Sequence, residues 1–532
     1  MTRLCLLLGG TGLLAATPVA AQDDYSRSVT PYVEVSQAVL MDLTNDDTVT
    51  YTGVAVGVDA TIQSRRVAGQ LSYRYEHQFG WGDFGDADIH SGLGLISAKV
   101  TPHLQLDAGG LAARARADIR GDAPGPFGGA VNRTNLYSLF AGPTFATRVG
   151  VANVNAAYRI GYTKVEAPDA TGVPAGQPRL DYYDSAVNHL ATASVGVGAG
   201  DLLPVGLTVS GAWTREDVSQ LDQRFDGKYA RADAVLPVSP ELAVVGGAGY
   251  EDIEISQRDA LVDPDGLPVL DGNGRFVAAP GSPRRLAYDF DGIFWDAGVL
   301  WRPSQRTTLE ARVGRRYGTM TYLGSFSYAI DRTSGIQIGV YDVVDSIGRG
   351  LSRSLQDLPT SFNTRPDPFG DQFTGCVFGQ QGSAAGGCLT PVLGALTTAQ
   401  FRARGVDGVY ATQRGPYRLG VGAGYVNRRF LTPGAPNGVN LSGTIDEIYY
   451  AQAFAGRTLS PASAIDVNAF VNVFDSGISG APNVTAGGAT GTYSYSFGRL
   501  GTSASLGVYG YDQDGGENNW SAQALLAARY SF

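Results

Sequence analysis

Lysine, cysteine, methionine and histidine are scarce in this chain. Among its 532 residues there are three Cys, three Met and four His, and lysine occurs only at positions 99, 164 and 228. After the first 21 residues, no stretch approaches the ~18 to 20 uncharged apolar residues that a membrane-spanning helix requires. The formal net charge of −10 argues against nucleic-acid binding, which needs a basic surface. So few cysteines are typical of an extracytoplasmic protein that is not built on disulfides.

Glycine and aromatic residues, by contrast, are abundant. The chain has 72 Gly, 27 Tyr and 21 Phe, yet its hydrophobic content is only 43%. This composition is too polar for a bundle of membrane helices, although its aromatic residues suit a membrane. Both properties are explained if lipid-facing and lumen-facing side chains alternate along membrane-spanning strands.

The first 21 residues have the features of a signal peptide. Arg3 supplies the positive charge, residues 6–16 form an apolar run, and residues 19–21 are the small residues of a cleavage site. We therefore expect cleavage before Gln22, which would remove Cys5 with the peptide.

The clearest pattern is an alternation of apolar and polar residues with a period of two. It runs through 67–79, 152–162 and 465–473, and only in a strand do successive side chains point to opposite faces. The predicted strands are roughly 10 to 16 residues long, above the ~5 to 6 residues usual in globular sheets. Such lengths suit tilted strands that cross a membrane.

The chain ends in one of these strands. Tyr530 and Phe532 lie on one face of it, and a terminal aromatic residue resembles the C-terminal assembly signal of bacterial outer-membrane proteins. Short turns alternate with long polar connections along the chain, as in barrels with short periplasmic turns and long outer loops. The sequence thus predicts an all-β fold: a transmembrane, antiparallel, up-and-down β-barrel of about 22 strands, within a range of about 18 to 22.

The predicted organisation is a signal peptide over 1–21, a short periplasmic segment over 22–28 and a single barrel over 29–532. A barrel that begins by about Val29 leaves no room for the N-terminal plug domain of a TonB-dependent transporter. The expected alternatives are a porin-like or secretion-type channel, or a barrel blocked by its own loops. The loop 343–400 is the best candidate for a constriction or gate, because structureless connections of this length are usually functional or disordered.

Charged residues on one face of the predicted strands are candidates for the pore lining, because a charge facing lipid would cost ~2–4 kcal/mol. Mixed charge with planar Arg donors could guide an anionic or sugar-rich polymer, whereas the plainer alternative is a hydrated wall with internal ion pairs. The candidates are Arg74, Glu76, Arg114, Arg116, Asp118 and Arg159.

Two further groups of residues suggest bonds within loops. Cys376 and Cys388 are the only cysteines left after processing, and we expect a structural disulfide between them in an oxidising compartment. Asp263, Asp265 and Asp271 could hold Ca²⁺ through oxygen ligands. Their spacing matches no EF-hand, so solvated turns explain them better and no metal is predicted.

Nothing in the sequence indicates an enzyme or a cofactor. The four histidines are scattered over separate strands and a turn. They are His77, His90, His103 and His189. No G-x-S-x-G motif, metal-ligand spacing or phosphate-binding loop surrounds them.

The repeated Pro turn followed by a strand, the Cys-containing loop and the C-terminal aromatic strand resemble the β-barrel porin families associated with exopolysaccharide and PEP-CTERM loci. That resemblance implies a channel for the export of exopolysaccharide or capsule, with polysaccharide as substrate and a periplasmic export protein as partner. It also implies an outer-membrane location among lipid and lipopolysaccharide, reached through the barrel-assembly machinery. The alternatives are a general or solute-selective diffusion porin, and a structural or adhesive surface barrel without transport.

Overall fold

The fold is that of a computed structural model, which describes ten stretches of the chain: residues 26–82, 85–117, 132–167, 181–363, 369, 375–394, 396–433, 441–478, 481–515 and 518–532. The predicted signal peptide and Asp118 lie outside these residues. No helix among the described residues is long and apolar enough to cross a membrane.

The described strands form a 22-stranded antiparallel sheet and a separate two-stranded hairpin. The large sheet consists of β1 (Ser26–Asp42), β2 (Thr48–Gln63), β3 (Val67–Trp81), β4 (Ala87–Lys99), β5 (Leu104–Arg116), β6 (Arg133–Val149), β7 (Ala152–Val165), β8 (Ser185–Val197), β9 (Gly206–Val218), β10 (Gln223–Pro237), β11 (Leu242–Gln257), β12 (Arg285–Ser304), β13 (Thr307–Arg316), β14 (Thr319–Ala329), β15 (Ser334–Asp345), β18 (Gln400–Arg414), β19 (Tyr417–Leu431), β20 (Ile445–Ser460), β21 (Ser463–Ser476), β22 (Val484–Phe497), β23 (Leu500–Gln513) and β24 (Asn519–Ser531). The hairpin is β16 (Cys376–Gln381) with β17 (Ala384–Cys388), and the helices are α1 (Ile347–Asp357) and α2 (Thr390–Leu393).

The large sheet closes on itself. Each of its strands pairs with the next along the chain, and β1 also pairs with β24, from Tyr32 opposite Ser531 to Asp42 opposite Ser521. The predicted count of 22 strands is therefore confirmed. Closure leaves no free sheet edge between the first and last strands. The backbone groups of such an edge would have no hydrogen-bond partners in a bilayer.

The two ends of the barrel differ in their connections. One end, which we call the short-turn end, carries compact turns such as 64–66, 330–333 and 415–416. The opposite end, the long-loop end, carries the connections 258–284 and 346–399. Consecutive antiparallel strands alternate in direction, so every second connection falls at the same end.

The outward face is an apolar surface with aromatic residues. Ile293 and Leu526 are 75% and 67% exposed, and Trp81 is 59% exposed. The inward face instead carries buried polar residues, as in β3, where Ser72, Arg74, Glu76 and Gln78 are buried and the residues between them are not. A closed barrel with an apolar exterior is the form in which strands cross the outer membrane, and this chain is an outer-membrane β-barrel.

The sheet is irregular where the sequence signal for strands is weakest. β14 pairs with β15 only from Gly324 opposite Val340 to Ala329 opposite Gly335, so the sheet opens between these strands towards the long-loop end. The guanidinium of Arg404 bridges this opening by donating to the Thr319 hydroxyl at 2.6 Å and to the Met320 carbonyl at 3.2 Å.

Candidate functional site

The connection between β15 and β18 folds into the barrel. We call residues 346–399 the lumenal segment; it contains α1, the β16–β17 hairpin and α2. Ile347, Leu351 and Leu355 of α1 have no exposed surface and belong to the same apolar cluster as wall residues of β4 and β6. The main apolar core of the molecule therefore lies inside the barrel, between the wall and this segment.

The helix α1 begins at an N-cap and an ion pair with the wall. Ser346 adopts extended backbone angles, and its hydroxyl accepts a hydrogen bond from the Arg349 amide at 3.1 Å, a typical N-cap. The wall residue Glu216 on β9 accepts from the Ser346 hydroxyl at 2.7 Å and from the Arg349 guanidinium at 2.8 Å. Gln400 donates to the same carboxylate at 3.1 Å, and Arg349 stacks 3.6 Å above the centre of the Phe225 ring. This network fastens the segment to the wall near the long-loop end.

The hairpin reaches the opposite end of the barrel. At its tip, the Gly382 amide donates to the Arg332 carbonyl at 2.9 Å, and Arg332 lies in the turn between β14 and β15 at the short-turn end. A Cβ atom at position 382 would lie 2.0 Å from the Asp331 carbonyl oxygen, so only glycine permits this approach. The lumenal segment therefore extends along the full depth of the barrel.

A disulfide closes the hairpin. Cys376 and Cys388 lie opposite each other in the β16–β17 pair and are joined by a disulfide bond. The Cys376 amide donates to the Gln452 side chain of β20 at 2.6 Å, and the ring centres of Phe378 and Phe454 are 4.9 Å apart. The disulfide-closed hairpin is thereby held against β19 and β20.

The rest of the segment contacts other parts of the wall. The Phe362 amide donates to Gln70 on β3 at 3.0 Å, and the Leu396 amide donates to the Arg116 carbonyl on β5 at 3.4 Å. Phe369 packs against the apolar cluster of β1, β2 and β24. With the contacts to β9 and β20, these interactions place the segment across the lumen and not along one side of it.

Three of the predicted pore-lining residues do face the lumen, and each is in an ion pair. Arg74 pairs with Glu34 at 2.8 Å and also with Glu76, and Arg159 pairs with Asp107 at 2.7 Å. Because Arg74, Glu76 and Arg159 are less than 10% exposed, they match the plainer alternative of a wall with internal ion pairs.

Arg114 and Arg116, also predicted for the pore lining, do not share the face of β5 that packs against α1. Ala113 and Ala115 belong to the buried cluster that contains α1, so the pleat directs Arg114 and Arg116 to the other face of β5. The sequence predicts the alternation in β5 but assigns its polar face to the lumen, whereas the apolar face of this strand is the one that packs against α1. Here the lumen contains an apolar core, and small apolar residues face it.

A compact group of four charged side chains in the wall was not among the candidates from the sequence. Arg231 pairs with Asp233 and Asp296, both at 2.6 Å, and Arg312 pairs with Asp296 at 2.8 Å and Asp233 at 3.0 Å. All four side chains are at most 6% exposed. The alternation of Arg231 and Asp233 on β10 was a usable signal, whereas their partners on β12 and β13 are distant in sequence.

The acidic residues of the loop 258–284 act as turn caps. The Asp263 carboxylate accepts from the Leu267 amide at 2.8 Å, and the Asp271 carboxylate accepts from the Arg275 amide at 2.9 Å. Asp265 is exposed within the first of these turns. No group of three potential metal ligands occurs among the residues that the structure describes. The hydrogen bonds of Asp263 and Asp271 are those of turn residues.

This loop folds over its neighbours at the long-loop end. Asp181 accepts from the Phe276 amide at 2.9 Å and from the Gln220 side chain at 2.5 Å. Burial raises the pKa of Asp181 to about 7. Arg275 is 5% exposed and donates to the Val165 carbonyl at 2.9 Å, which fastens the loop to the end of β7.

The C-terminal strand has the predicted arrangement. Tyr530 and Phe532 are 41% and 62% exposed, and their ring centres are 5.2 Å apart. Both therefore remain available on the outer surface, and their role as an assembly signal stays a prediction.

No protein-family model matches the chain, and no curated protein matches it in sequence. Solved structures of large outer-membrane barrels are similar to it. The alcaligin receptor FauA of Bordetella pertussis is 12% identical over 94% of this chain and 76% of its own, with a TM-score of 0.39. The FrpB iron transporter of Neisseria meningitidis is 10% identical over 94% and 81%, with a TM-score of 0.43. The ferric-catecholate import receptor Fiu of Escherichia coli is 11% identical over 94% and 81%, with a TM-score of 0.41.

These findings correct the functional interpretation of the sequence. The resemblance to an exopolysaccharide-export porin is wrong: no family model supports it, and the similar structures named above are siderophore and iron receptors. The periplasmic polysaccharide-export protein and the polysaccharide are withdrawn as partners with it. An open diffusion porin does not fit either, because a folded segment crosses the lumen, and the adhesive barrel is withdrawn with it.

Proposed function

We propose that this chain is an uptake receptor of the outer membrane, closed by its own lumenal segment and opened by a ligand that arrives at the long-loop end. The observation that carries the proposal is the path of the segment, which is held by Glu216 near one end and touches Arg332 at the other. The proposal rests on this geometry. Similarity to the iron and siderophore receptors at the level found carries no information about cargo.

The two attachments of the segment differ in strength. At the long-loop end, Arg349 is in a charge-assisted, buried network with Glu216 and Gln400. At the short-turn end, the tip is held by the backbone hydrogen bond from Gly382 to Arg332, which is worth roughly 0.5–1.5 kcal/mol. The tip can thus leave its contact without breaking any pairing of the barrel strands.

The inward direction that we propose is supported by where the segment joins the wall. Both of its junctions with the wall, after Asp345 and before Gln400, are at the long-loop end. With this end facing outwards, a ligand from outside meets the end of the barrel at which both junctions and the buried Glu216–Arg349 network lie. Binding there would shift the closed arrangement only if the ligand interacts better with the open one.

The first experiment measures conductance of the purified chain in planar bilayers. We expect the native barrel to be closed for most of the time, and Glu216→Gln to open more often because it weakens the hold on Arg349. Glu254→Gln is the matched control, since Glu254 is exposed on β11. A native barrel with stable, large openings would reject the proposal.

A second experiment tests uptake. Cells that lack this chain are compared with complemented cells for accumulation of radiolabelled ferric siderophores and of other bulky solutes. We expect saturable uptake of one cargo, dependent on the chain. Equal accumulation of every cargo with and without the chain would count against a receptor.

A further inference from the structure

The outer face of β18 carries two arginines near the long-loop end. Phe401 and Ala403 belong to the apolar cluster inside the barrel, so the pleat of the strand directs Arg402 and Arg404 outwards. The next charged residue on this outer face is Arg414 at the short-turn end, and the outward positions between them are uncharged. An interval of about ten residues is what a tilted strand needs to cross a bilayer. Arg404 therefore lies at the level where the apolar belt of the barrel ends.

Two further arginines extend this group across neighbouring strands. Arg429 on β19 is exposed and lies directly opposite Arg402. Arg315 on β13 is also exposed, and it lies opposite Met320 on β14. Arg404 reaches the same Met320, to whose carbonyl it donates at 3.2 Å. We call Arg315, Arg402, Arg404 and Arg429 the arginine patch.

Carboxylates compensate only part of the charge of the arginine patch. Arg402 donates to both oxygens of Asp342 at 2.7 Å, and the Nε atom of Arg404 is 3.3 Å from one of them. Arg315 and Arg429 form no ion pair with any residue that the structure describes. Like charges directly opposite each other on antiparallel strands, such as Arg402 and Arg429, destabilise a sheet. An anion bound to the patch would remove this repulsion.

Apolar and aromatic residues border the patch on the side of the apolar belt. Met320 and Tyr322 of β14 and Val406 of β18 are exposed on the outer face. Glu447 on β20 carries the next carboxylate along this face, and it accepts from the Tyr425 hydroxyl at 2.7 Å. Exposed aromatic residues are typical of the level at which lipid headgroups meet the hydrocarbon. An anion that binds to the patch therefore lies beside the tails of bilayer lipids.

We infer that the arginine patch binds the headgroup of an outer-leaflet lipid that carries more than one phosphate group. Planar guanidinium groups match phosphate oxygens in pairs. Four of them share the single carboxylate of Asp342, so a headgroup with one phosphodiester would leave most of the charge uncompensated. The tails of the lipid would lie against Tyr322 and Val406, a contact that a free phosphate ion lacks. Because Arg404 also bridges the opening between β14 and β15, the bound lipid would cover this gap, whatever the barrel transports.

The experiment measures binding of diphosphoryl lipid A to the full chain in a neutral detergent, by native mass spectrometry over a titration of the lipid. We expect saturable binding, and weaker binding of monophosphoryl lipid A, which differs by one phosphate group. The triple variant Arg315→Gln, Arg404→Gln, Arg429→Gln should raise the Kd by at least about tenfold, because it removes three donors of charge-assisted hydrogen bonds. A native Kd in this variant would overturn the inference.

The matched control removes the same number of charges from the short-turn end. Arg66, Arg414 and Arg457 are exposed there, and their triple replacement by Gln should leave the Kd unchanged. An equal loss of binding in this control would show attraction by the overall charge and would overturn the site. Inorganic phosphate is the competitor, and its displacement of the lipid at equal concentration would overturn the assignment to a lipid.

A single replacement covers poor assembly of the triple variant. Arg429 has no ion-pair partner in the described part of the chain, so Arg429→Gln should assemble as the native barrel and still raise the Kd. Arg429→Lys keeps the charge and should bind the lipid more tightly than Arg429→Gln. The native Kd in Arg429→Gln would count against the patch even if the triple variant could not be purified.

Discussion

Arg349 of the lumenal helix and Glu216 of the barrel wall form an ion pair of 2.8 Å whose side chains are 4% and 0% exposed. The pair joins residues that are 133 positions apart in sequence. It holds the segment that crosses the lumen, so its loss should change the stability of the closed barrel.

Replacement of Arg349 by Met should destabilise the closed barrel more than removal of both charges of the pair. The single variant leaves Glu216 charged and buried, which typically costs about 3–5 kcal/mol. In the double variant Glu216→Gln with Arg349→Met, no unpaired charge remains. Urea unfolding of the single variants Glu216→Gln and Arg349→Met and of their double variant would give the coupling energy, and additive effects of the two single changes would contradict the pairing.

The Cys376–Cys388 disulfide should stabilise the hairpin with little effect on the barrel. A loop closed over a sequence separation of 12 is stabilised by about 2–3 kcal/mol through restriction of the open chain. We expect the Cys376→Ser, Cys388→Ser double variant to assemble normally but to show faster hydrogen exchange in 376–388 than the native chain. The same exchange rates in both would show that the wall contacts alone hold the hairpin.

The tip of the hairpin should tolerate no side chain. In Gly382→Val, the new Cβ atom would collide with the Asp331 carbonyl, so the tip must leave the short-turn end. We expect more frequent openings in planar bilayers than for the native barrel. Gly272→Ala is the control, because nothing lies within 4 Å of a Cβ atom there. Native conductance in the Gly382 variant would contradict the contact with Arg332.

The loop 258–284 should be released as the pH rises. The pKa of Asp181 is raised from 3.8 to about 7. The contribution of Asp181 to docking of this loop is therefore complete below pH 3.8 and is lost as the pH rises through about 7. At pH 8 we expect trypsin to cleave at Arg275 faster in the native chain than in Asp181→Asn, which cannot ionise. Equal cleavage rates at this pH would contradict a role for Asp181.

The strand count and the closure of the barrel could be predicted from the sequence because the period-two alternation is local. Each strand shows it within its own residues, as Val67–Trp81 does, and the turns separate one strand from the next. The signal is weakest near β14, where part of the strand lacks a partner on one side.

The faces of the strands were harder to assign than the strands themselves. For Arg74 the polar face was the inner one, whereas for Arg114 it was the outer one. The difference depends on what occupies the lumen beside each strand: an ion-pair network at Arg74 and the apolar helix α1 beside Ala113 and Ala115. No local pattern contains that information.

By itself, therefore, the sequence determined a closed all-β barrel for the outer membrane and the two cysteines that can pair. Only the tertiary structure decided that the segment 346–399 lies within the lumen and reaches the opposite end. Its position depends on contacts such as Arg349 with Glu216 and Gly382 with Arg332. These contacts join residues that are distant in sequence, such as Arg349 and Glu216 at a separation of 133, so no local pattern contains them.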